Sequence, residues 1–482
     1  MRLSSIVKRG LPLDPEITGV TADSRKVGPG TLFAALPGTK VDGASFAAAA
    51  VQAGAAAVIS ERDLGLPVPT ILAKDPRRAY ALAAAEFWGR QPQVCVAVTG
   101  TNGKTSVANF CRQMFARAGK TSASMGTLGV TVSRPDGTHE QLTPPGLTTP
   151  DAANVAEWLA KLAGMGVSHF AMEASSHGVD QRRLDGVKLT AAGYLNLTQD
   201  HLDYHGTMDA YRAAKLRLFD TLLPRGGTAV LNADSDAFPA FAASAVIAGQ
   251  WVMTVGETGQ YLKLAGRELL PEGQRLRLQC EGRAYDVRLP LAGAFQASNA
   301  LVAAGLCRAA GLTLEQVFEG LEALEGAPGR LQRVGHGPRG GDAYVDYAHT
   351  PDGLETVLSA LRPHVRGKLI VVFGAGGDRD RGKRPQMGKI AGQLADVAIV
   401  TDDNPRSEVP AAIRAEVLAG CPDAKEIGDR REAIRVAAAM LQDGDILVVA
   451  GKGHEQGQIV GGVTHPFDDV AETARALELV HD

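Results

Sequence analysis

A chain of 482 residues is about three times the size of a common domain, so several separately cored domains are expected rather than one fold. Its 50 Lys and Arg against 53 Asp and Glu leave a net charge of −3, which excludes the bulk basic character that binding to nucleic acid or an anionic membrane would need. Any anion binding therefore falls to local clusters.

The opening MRLSSIVKRGLPLDPEITG has no apolar leader-type core, and the alanine-rich run over 46–59 is interrupted by Gln52 and Gly54. A cytoplasmic protein with no membrane insertion is expected. Cys95, Cys111, Cys280, Cys307 and Cys421 are scattered without a CxxC or a Cys/His pairing, so buried reduced thiols are expected instead of a zinc knuckle or a disulfide framework.

Short apolar runs recur along the chain with helical segments between them: AAAVIS (55–60), VCVAV (94–98), SHFAME (168–173), LIVVF (369–373), VAIVT (397–401) and DILVVA (445–450). That spacing predicts an α/β protein with parallel sheets, whose crossover helices cover both faces. An alanine-rich helix ends near Trp88, and Pro and Gly punctuate Gly326-Ala327-Pro328-Gly329, which divides the chain into 1–90, 91–326 and 327–482.

The stretch VCVAVTGTNGKT (94–105) reads as a buried strand entering a phosphate-binding loop. It departs from GxxxxGK[ST], since Val98 stands at the first glycine and Gly100 comes two residues later. The chemistry still fits: Gly100 and Gly103 allow backbone N–H groups near phosphate oxygens, Lys104 supplies charge, and the Thr105 hydroxyl suits Mg²⁺. Val107, Phe110, Cys111, Met114, Phe115 and Ala118 follow at helical spacing, which puts the phosphates at a helix N-terminus. The competing reading is an ordinary strand-to-helix turn with a solvated lysine.

Glu173 closes SHFAME at the carboxyl end of a predicted strand, where α/β sheets place ligands, and His201 and His205 lie in the polar loop TQDHLDYHG. A carboxylate and an imidazole near a triphosphate suit a divalent cation, although either residue taken alone is as well explained as structural or solvated. FGAGGDRD (373–380) imitates a dinucleotide fingerprint, but its glycines lack the GxGxxG spacing.

VTGTNGKT, AMEASSHG, NLTQDHLDYHG, YRAAK, LAGAFQASNALVA, DYAHTPD, FGAGGDRDRGKRP, DNPR and GKGHE occur in the order found in Mur ligases. From about Asp23 to Glu455 the chain resembles that family, and within it the branch that adds a diamino acid. The resemblance implies an N-terminal domain for a UDP-N-acetylmuramoyl (UDP-MurNAc) nucleotide, a central ATPase domain with a P-loop-type sheet, and a C-terminal Rossmann-like domain for the amino acid. It also implies the reaction: ATP phosphorylates the terminal carboxylate of UDP-MurNAc-L-Ala-D-Glu, and an amine captures the acyl phosphate, a step of peptidoglycan precursor synthesis.

By that resemblance ATP is held by Gly100, Thr101, Asn102, Gly103, Lys104, Thr105 and Ser106, with Asn299, Arg330, Asp346 and His349 near adenine and ribose. Thr105, Glu173, His201 and Lys215 would hold Mg²⁺, the last as N6-carboxylysine. The residues alone would make Lys215, in DAYRAAKLRLF, a solvated helix lysine. For the UDP-MurNAc-peptide the matching positions are Ala22, Ser24, Thr39, Lys40, Val41, Thr148, Thr149, Ser175, Gln181 and Arg183. Taken singly, the hydroxyl residues among them read as caps or turns. The amino acid falls to Arg379, Asp403, Asn404, Pro405, Arg406, Gly451 and Glu455.

DNPR is the version seen in members that add meso-diaminopimelate. Arg406 can pair with the distal carboxylate that lysine and ornithine lack, Arg379 can hold the other carboxylate, and Asp403 and Glu455 suit ammonium groups. Ornithine and lysine stay open as substrates. Remoter readings are a folylpolyglutamate-synthetase-like ligase, the D-alanyl-D-alanine-adding Mur ligase, or a non-catalytic nucleotide-binding regulator. A monomer acting on small molecules is expected.

Overall fold

Residues 1–38, 42–144, 146–270 and 273–479 are described by the computed structural model. The chain forms two compact units, one of Met1–Leu262 with Leu301–Val317, the other of Lys263–Ala300 with Phe318–Asp482.

The first unit begins with a parallel four-stranded sheet, β1 (Gly19–Thr21), β2 (Thr31–Ala34), β3 (Ala55–Ser60) and β4 (Thr70–Leu72), in that order. The alanine-rich helix Pro76–Trp88 covers it. Asp75 accepts from the Arg78 N–H as N-cap, Pro76 needs no donor at the first position, and Gly89 at φ 70° ends the helix. Its Tyr80, Ala81, Ala83 and Ala84 are buried in a core with Leu32, Ala57 and Ile59.

The second sheet of this unit uses β5 (Val94–Thr99), β6 (Ser122–Gly126), β7 (Gly129–Ser133), β8 (His139–Gln141), β9 (His169–Glu173), β10 (Ala191–Tyr194), β11 (Thr228–Asn232) and β12 (Trp251–Gly256), in the order β12-β11-β10-β5-β9-β6-β7-β8. β5 is central, pairing in parallel with β9 and β10 so that Val98 lies opposite Glu173 and Thr99 opposite Tyr194. A strand walled in on both faces needs the continuous apolar run that VCVAV supplies. The register delivers Glu173 to the same carboxyl edge as the loop that follows Thr99.

The second unit opens with β13 (Leu262–Leu270), β14 (Gly273–Cys280) and β15 (Arg283–Leu289). It continues with β16 (Gln332–His336), β17 (Asp342–Asp346), β18 (Leu369–Phe373), β19 (Val397–Val400), β20 (Lys425–Glu426) and β21 (Ile446–Ala450), ordered β16-β17-β21-β18-β19-β20. A hairpin, β22 (Gly457–Val460) and β23 (Val463–Pro466), follows. LIVVF and ILVVA are buried throughout, between one apolar layer containing Leu354, Leu358 and Met387 and another containing Ile434, Ala437 and Leu441.

All six apolar runs are strands, and the strands they form pair in parallel. The expectation of parallel sheets is incomplete, because β6/β7, β7/β8, β14/β15 and β16/β17 are antiparallel. In β14 the buried and exposed residues alternate, the pattern of a strand with one solvated face. At the β14/β15 turn Glu281 and Gly282 take φ of 48° and 76°, the double left-handed geometry of a two-residue hairpin. All five cysteines are buried thiols outside any disulfide, as expected. Among the described residues no helix is long and apolar enough to cross a membrane.

Candidate active site

In the first unit Gly103 takes φ +89° and starts the helix Lys104–Arg117 with no side-chain cap. The first-turn N–H groups of a helix lack partners within it, so this helix start is suited to receive an anion. Thr101 and Asn102 play a different part: both amide N–H groups donate to Asn196 Oδ1, at 3.1 and 2.9 Å, and Asn196 Nδ2 returns a bond to Asn102 O at 3.2 Å. Asn196 therefore sets the loop's shape. Sequence reasoning gave it no role, although it opens the motif NLTQDHLDYHG directly after Leu195.

Lys104 curls over its own loop, donating to Gly100 O at 2.9 Å and Thr101 O at 2.7 Å. Lys215 reaches the same Gly100 carbonyl at 2.7 Å. It is 1 % exposed, so the residue-only reading of a solvated lysine is overturned by packing. Burial, then the positive charge of Lys104, drives its pKa well below the usual lysine range. Its ammonium lies 4.4 Å over the Tyr211 ring, whose hydroxyl is 3.2 Å from Thr101 Oγ1.

Glu173 is buried at the end of β9. Its Oε2 accepts from Thr105 Oγ1 at 3.0 Å and Thr127 Oγ1 at 3.3 Å, and its Oε1 accepts from Thr127 N–H at 2.8 Å. Gly126 leaves room for this carboxylate, because a Cβ there would run into Glu173 Oε1. His201 is exposed at φ 53°, its Nε2 3.3 Å from Asp200 Oδ2 and its ring 4.9 Å from that of His177. Ser106 is buried one position beyond Thr105.

Five residues expected to bind the nucleotide-sugar peptide lead into this cluster. Thr148 Oγ1 is 3.0 Å from Thr127 Oγ1, Thr149 Oγ1 donates to Glu173 O at 3.0 Å, and Ser175 Oγ donates to Thr149 Oγ1 at 2.9 Å. Arg183 donates to Thr149 O at 2.6 Å and to Gln181 Oε1 at 2.7 Å. Tyr204, which sequence reasoning passed over, accepts from Gln181 Nε2 and donates to Asp180. Ser175 also caps the helix Ser176–Asp180, so the turn reading of that serine holds alongside any binding role.

Ala22 and Ser24 line a cavity of about 960 Å³ whose wall includes Thr18, Phe33, Tyr80 and Asp151. Gln181 and Arg183 line a smaller one of about 120 Å³ that shares Leu36, Tyr80 and Asp151 with it. Thr39, Lys40 and Val41 lie outside the described residues.

In the second unit Asn299 donates to Gln296 Oε1 at 3.1 Å, and Gln296 donates to Arg330 O. The Arg330 guanidinium stacks 4.7 Å over Tyr347, with its Nε buried and unpartnered. Asp346 accepts from the Leu331 and Ala348 N–H groups at 2.6 and 2.8 Å, and burial pushes its pKa up to about 6. His349 is exposed, its Nδ1 2.8 Å from Tyr347 O. Asn299, Arg330, Asp346 and His349 thus meet around Tyr347 and Gln296, neither of which the sequence singled out.

The DNPR segment packs on GKGHE in the same unit. Asp403, Asn404 and Pro405 are buried, Glu455 is half-buried, and Asn404 Nδ2 donates to Glu455 Oε2 at 2.8 Å. Gly451, at φ +125°, admits Asp403, whose Oδ2 would meet a Cβ there at 2.6 Å. Arg406 takes φ +52°, uncommon for a residue with a side chain, and donates to Gly377 O at 2.8 Å. Arg379 is exposed. Lys452, fully buried, bonds to Asn404 and stands 3.5 Å from Glu455 and 3.9 Å from Asp403.

A phosphate-type loop in one unit and a corner of mixed charge in the other are features that an ATP-dependent carboxylate–amine ligase needs. Three family models match: the Mur ligase family, catalytic domain, over residues 16–86; the Mur ligase middle domain over 98–307; and the Mur ligase, glutamate ligase domain over 329–453. The chain belongs to the Mur ligase family.

A protein of Caulobacter vibrioides named UDP-N-acetylmuramoyl-L-alanyl-D-glutamate--2,6-diaminopimelate ligase is 69% identical over 479 residues, covering 99% of each chain. One of the same name from Brucella melitensis is 54% identical over 467 residues, with 96% of this chain and 94% of the relative covered. A solved structure of a ligase so named superposes with a TM-score of 0.77 at 36% identity, covering 100% of this chain and 99% of the other.

Proposed function

We propose that the chain is the ligase that joins 2,6-diaminopimelate to UDP-MurNAc-L-Ala-D-Glu at the expense of ATP, in peptidoglycan precursor synthesis. The observation that carries this reading is the pairing of Thr105 with the buried Glu173 at the carboxyl edge of parallel strands, directly beside Lys104. Residues 1–90 take the uridine nucleotide, 91–326 take ATP, and 327–482 take the amino acid in a monomeric cytoplasmic enzyme.

Phosphoryl transfer to a carboxylate brings like charges together. Lys104 and the first-turn amides of the helix Lys104–Arg117 offset that repulsion on the γ-phosphoryl group. The substrate carboxylate oxygen bonds to phosphorus as the bond to ADP breaks. The amine nitrogen then attacks the acyl carbon, phosphate leaves, and the ammonium proton is lost, giving amide, ADP and inorganic phosphate.

A buried carboxylate flanked by hydroxyls suits a hard cation, and Mg²⁺ in phosphoryl-transfer sites takes only one or two carboxylates beside phosphates and water. Such a site fits a chain that, among the described residues, has no group of three or more His, Cys, Asp or Glu able to hold a metal alone. Thr105, Glu173 and His201 would hold it, and a carbamylated Lys215 would hold a second Mg²⁺. When bound it supplies charge neutralisation at the transferring phosphoryl group. Lys215 is suited to carbamylation because its lowered pKa favours the neutral amine that reacts with carbon dioxide.

Arg406 and Arg379 take the carboxylates of diaminopimelate, while Asp403 and Glu455 take its ammonium groups. The test is phosphate release that requires ATP, UDP-MurNAc-dipeptide and diaminopimelate together, with oxygen label from the dipeptide carboxylate appearing in the phosphate. Label that stays wholly in the dipeptide would overturn the reading. Competition among diaminopimelate, lysine and ornithine checks the amino acid.

A further inference from the structure

We propose that Lys452 is a positioning residue of the amino-acid site: its buried ammonium sets the orientation of the Asn404 amide, and through it the Glu455 carboxylate that receives the substrate's ammonium group. The proposal rests on the amino-acid site assigned above.

An asparagine amide can sit either way round, and its neighbours decide which. Here Asn404 Oδ1 faces two groups that can only donate, Lys452 Nζ at 2.8 Å and the Ile459 N–H at 2.9 Å. The Nδ2 end must then face Glu455 Oε2, to which it donates at 2.8 Å. A reversed amide would set its N–H groups against Lys452 and Ile459 and its oxygen against a carboxylate. With the charge of Lys452 in place, only one orientation is tolerated.

Lys452 also joins two segments that carry the site. Its Nζ donates to Gly457 O at 2.7 Å, at the start of β22, and from β22 Ile459 O accepts from the Arg406 N–H at 2.9 Å. DNPR, GKGHE and β22 are thereby tied through one nitrogen. The ammonium has no outlet to solvent, since the side chain is 0 % exposed. Behind it Arg430, likewise buried, pairs with Asp469 at 2.7 Å and donates to Ala450 O, which holds the strand end that leads into Gly451. The two buried cations are set among three carboxylates: Lys452 stands near Asp403 and Glu455, and Arg430 pairs with Asp469.

Two effects of removing Lys452 oppose each other. Loss of a cation 3.5 Å from Glu455 would by itself draw a substrate ammonium more strongly. Loss of the bonds that aim Asn404 and Glu455 would weaken binding. The second effect dominates if Lys452 positions the site, because a charge-assisted bond changes affinity by about ten- to hundred-fold and two such bonds are lost, those to Asn404 Oδ1 and Gly457 O.

The test is steady-state kinetics of the full-length Lys452→Met, Lys452→Gln and Lys452→Arg enzymes beside the unaltered protein. Expected is a KM for diaminopimelate raised about tenfold or more in K452M and K452Q, with the KM for ATP within about twofold and substantial recovery in K452R. K452Q removes the charge but stays polar in a polar pocket, so it keeps the test open should K452M not accumulate folded. An unchanged or lowered KM for diaminopimelate, or a loss confined to kcat, would overturn the proposal. If the unaltered enzyme itself shows no diaminopimelate-dependent phosphate release, it is the proposed function that fails.

Discussion

Lys104 and Lys215 donate to one acceptor, the carbonyl oxygen of Gly100, at 2.9 and 2.7 Å. Two ammonium groups on one carbonyl repel each other, and Lys215, being the buried one, loses its proton more readily. The neutral form is therefore populated at lower pH than for an exposed lysine, and it is the form that carbamylation consumes. Intact mass spectrometry in bicarbonate buffer should show one added carbon dioxide that Lys215→Ala lacks. That variant should lose about a hundredfold or more in turnover and regain part of it with added short carboxylic acids. Full turnover without such rescue would remove the carbamate from the reaction.

Lys104→Ala should abolish ligation while the nucleotide-sugar peptide still binds, because the side chain donates to the phosphate loop at Gly100 O and Thr101 O. Equilibrium binding of the UDP-MurNAc-dipeptide together with an ADP-release assay checks both halves. Unchanged turnover would contradict the ATP assignment.

Gly126 gives a test of Glu173 that leaves Glu173 in place. A Cβ at Gly126 would displace the carboxylate, so Gly126→Ala should raise the Mg²⁺ concentration needed for half-maximal activity by about tenfold or more, consistent with the effect of disturbing a metal ligand's surroundings. A magnesium titration identical to that of the unaltered enzyme would separate Glu173 from the metal.

Arg406→Ala should raise the KM for diaminopimelate by about ten- to hundred-fold and leave that for ATP nearly unchanged, since one charge-assisted contact is lost. Its left-handed backbone, at φ +52°, is held by bonds on both sides, the N–H to Ile459 O and the carbonyl to the Gly461 N–H. Backbone strain kept in this way is common where a side chain has been aimed for use. Equal effects on both substrates would argue against a carboxylate clamp.

Asp346 should leave a signature in stability against pH. Burial raises its carboxyl to about 6 from 3.8, so in the window between those values the folded protein holds a proton that the unfolded chain has released. Stability from this group is full below about 4 and is lost as pH rises through about 6. Asp346→Asn should remove that slope, and denaturant titrations of both proteins at pH 4 to 7 would measure it. Parallel curves would mean that Asp346 titrates as an exposed carboxylate does.

The buried strands were readable from sequence because a strand covered on both faces must be apolar at every position, as LIVVF and VCVAV are. The phosphate loop was readable because left-handed backbone needs Gly103, and Lys104 and Thr105 follow it at a helix start. The order of motifs was enough to suggest the family.

Tertiary structure decided what those residues touch. Nothing local in DAYRAAKLRLF distinguishes a solvated Lys215 from one that is 1 % exposed; the difference comes from packing against Tyr211 and the loop 115 residues away. Likewise Asn196, Tyr347 and Lys452 lie within NLTQDHLDYHG, DYAHTPD and GKGHE, but those motifs do not show what they touch, because their parts depend on a strand register or on two distant loops meeting. Local sequence determines which backbone shapes are allowed and which faces are apolar. Burial and hydrogen-bond partners arise from contacts far apart in the chain, and these set charge and orientation at the site.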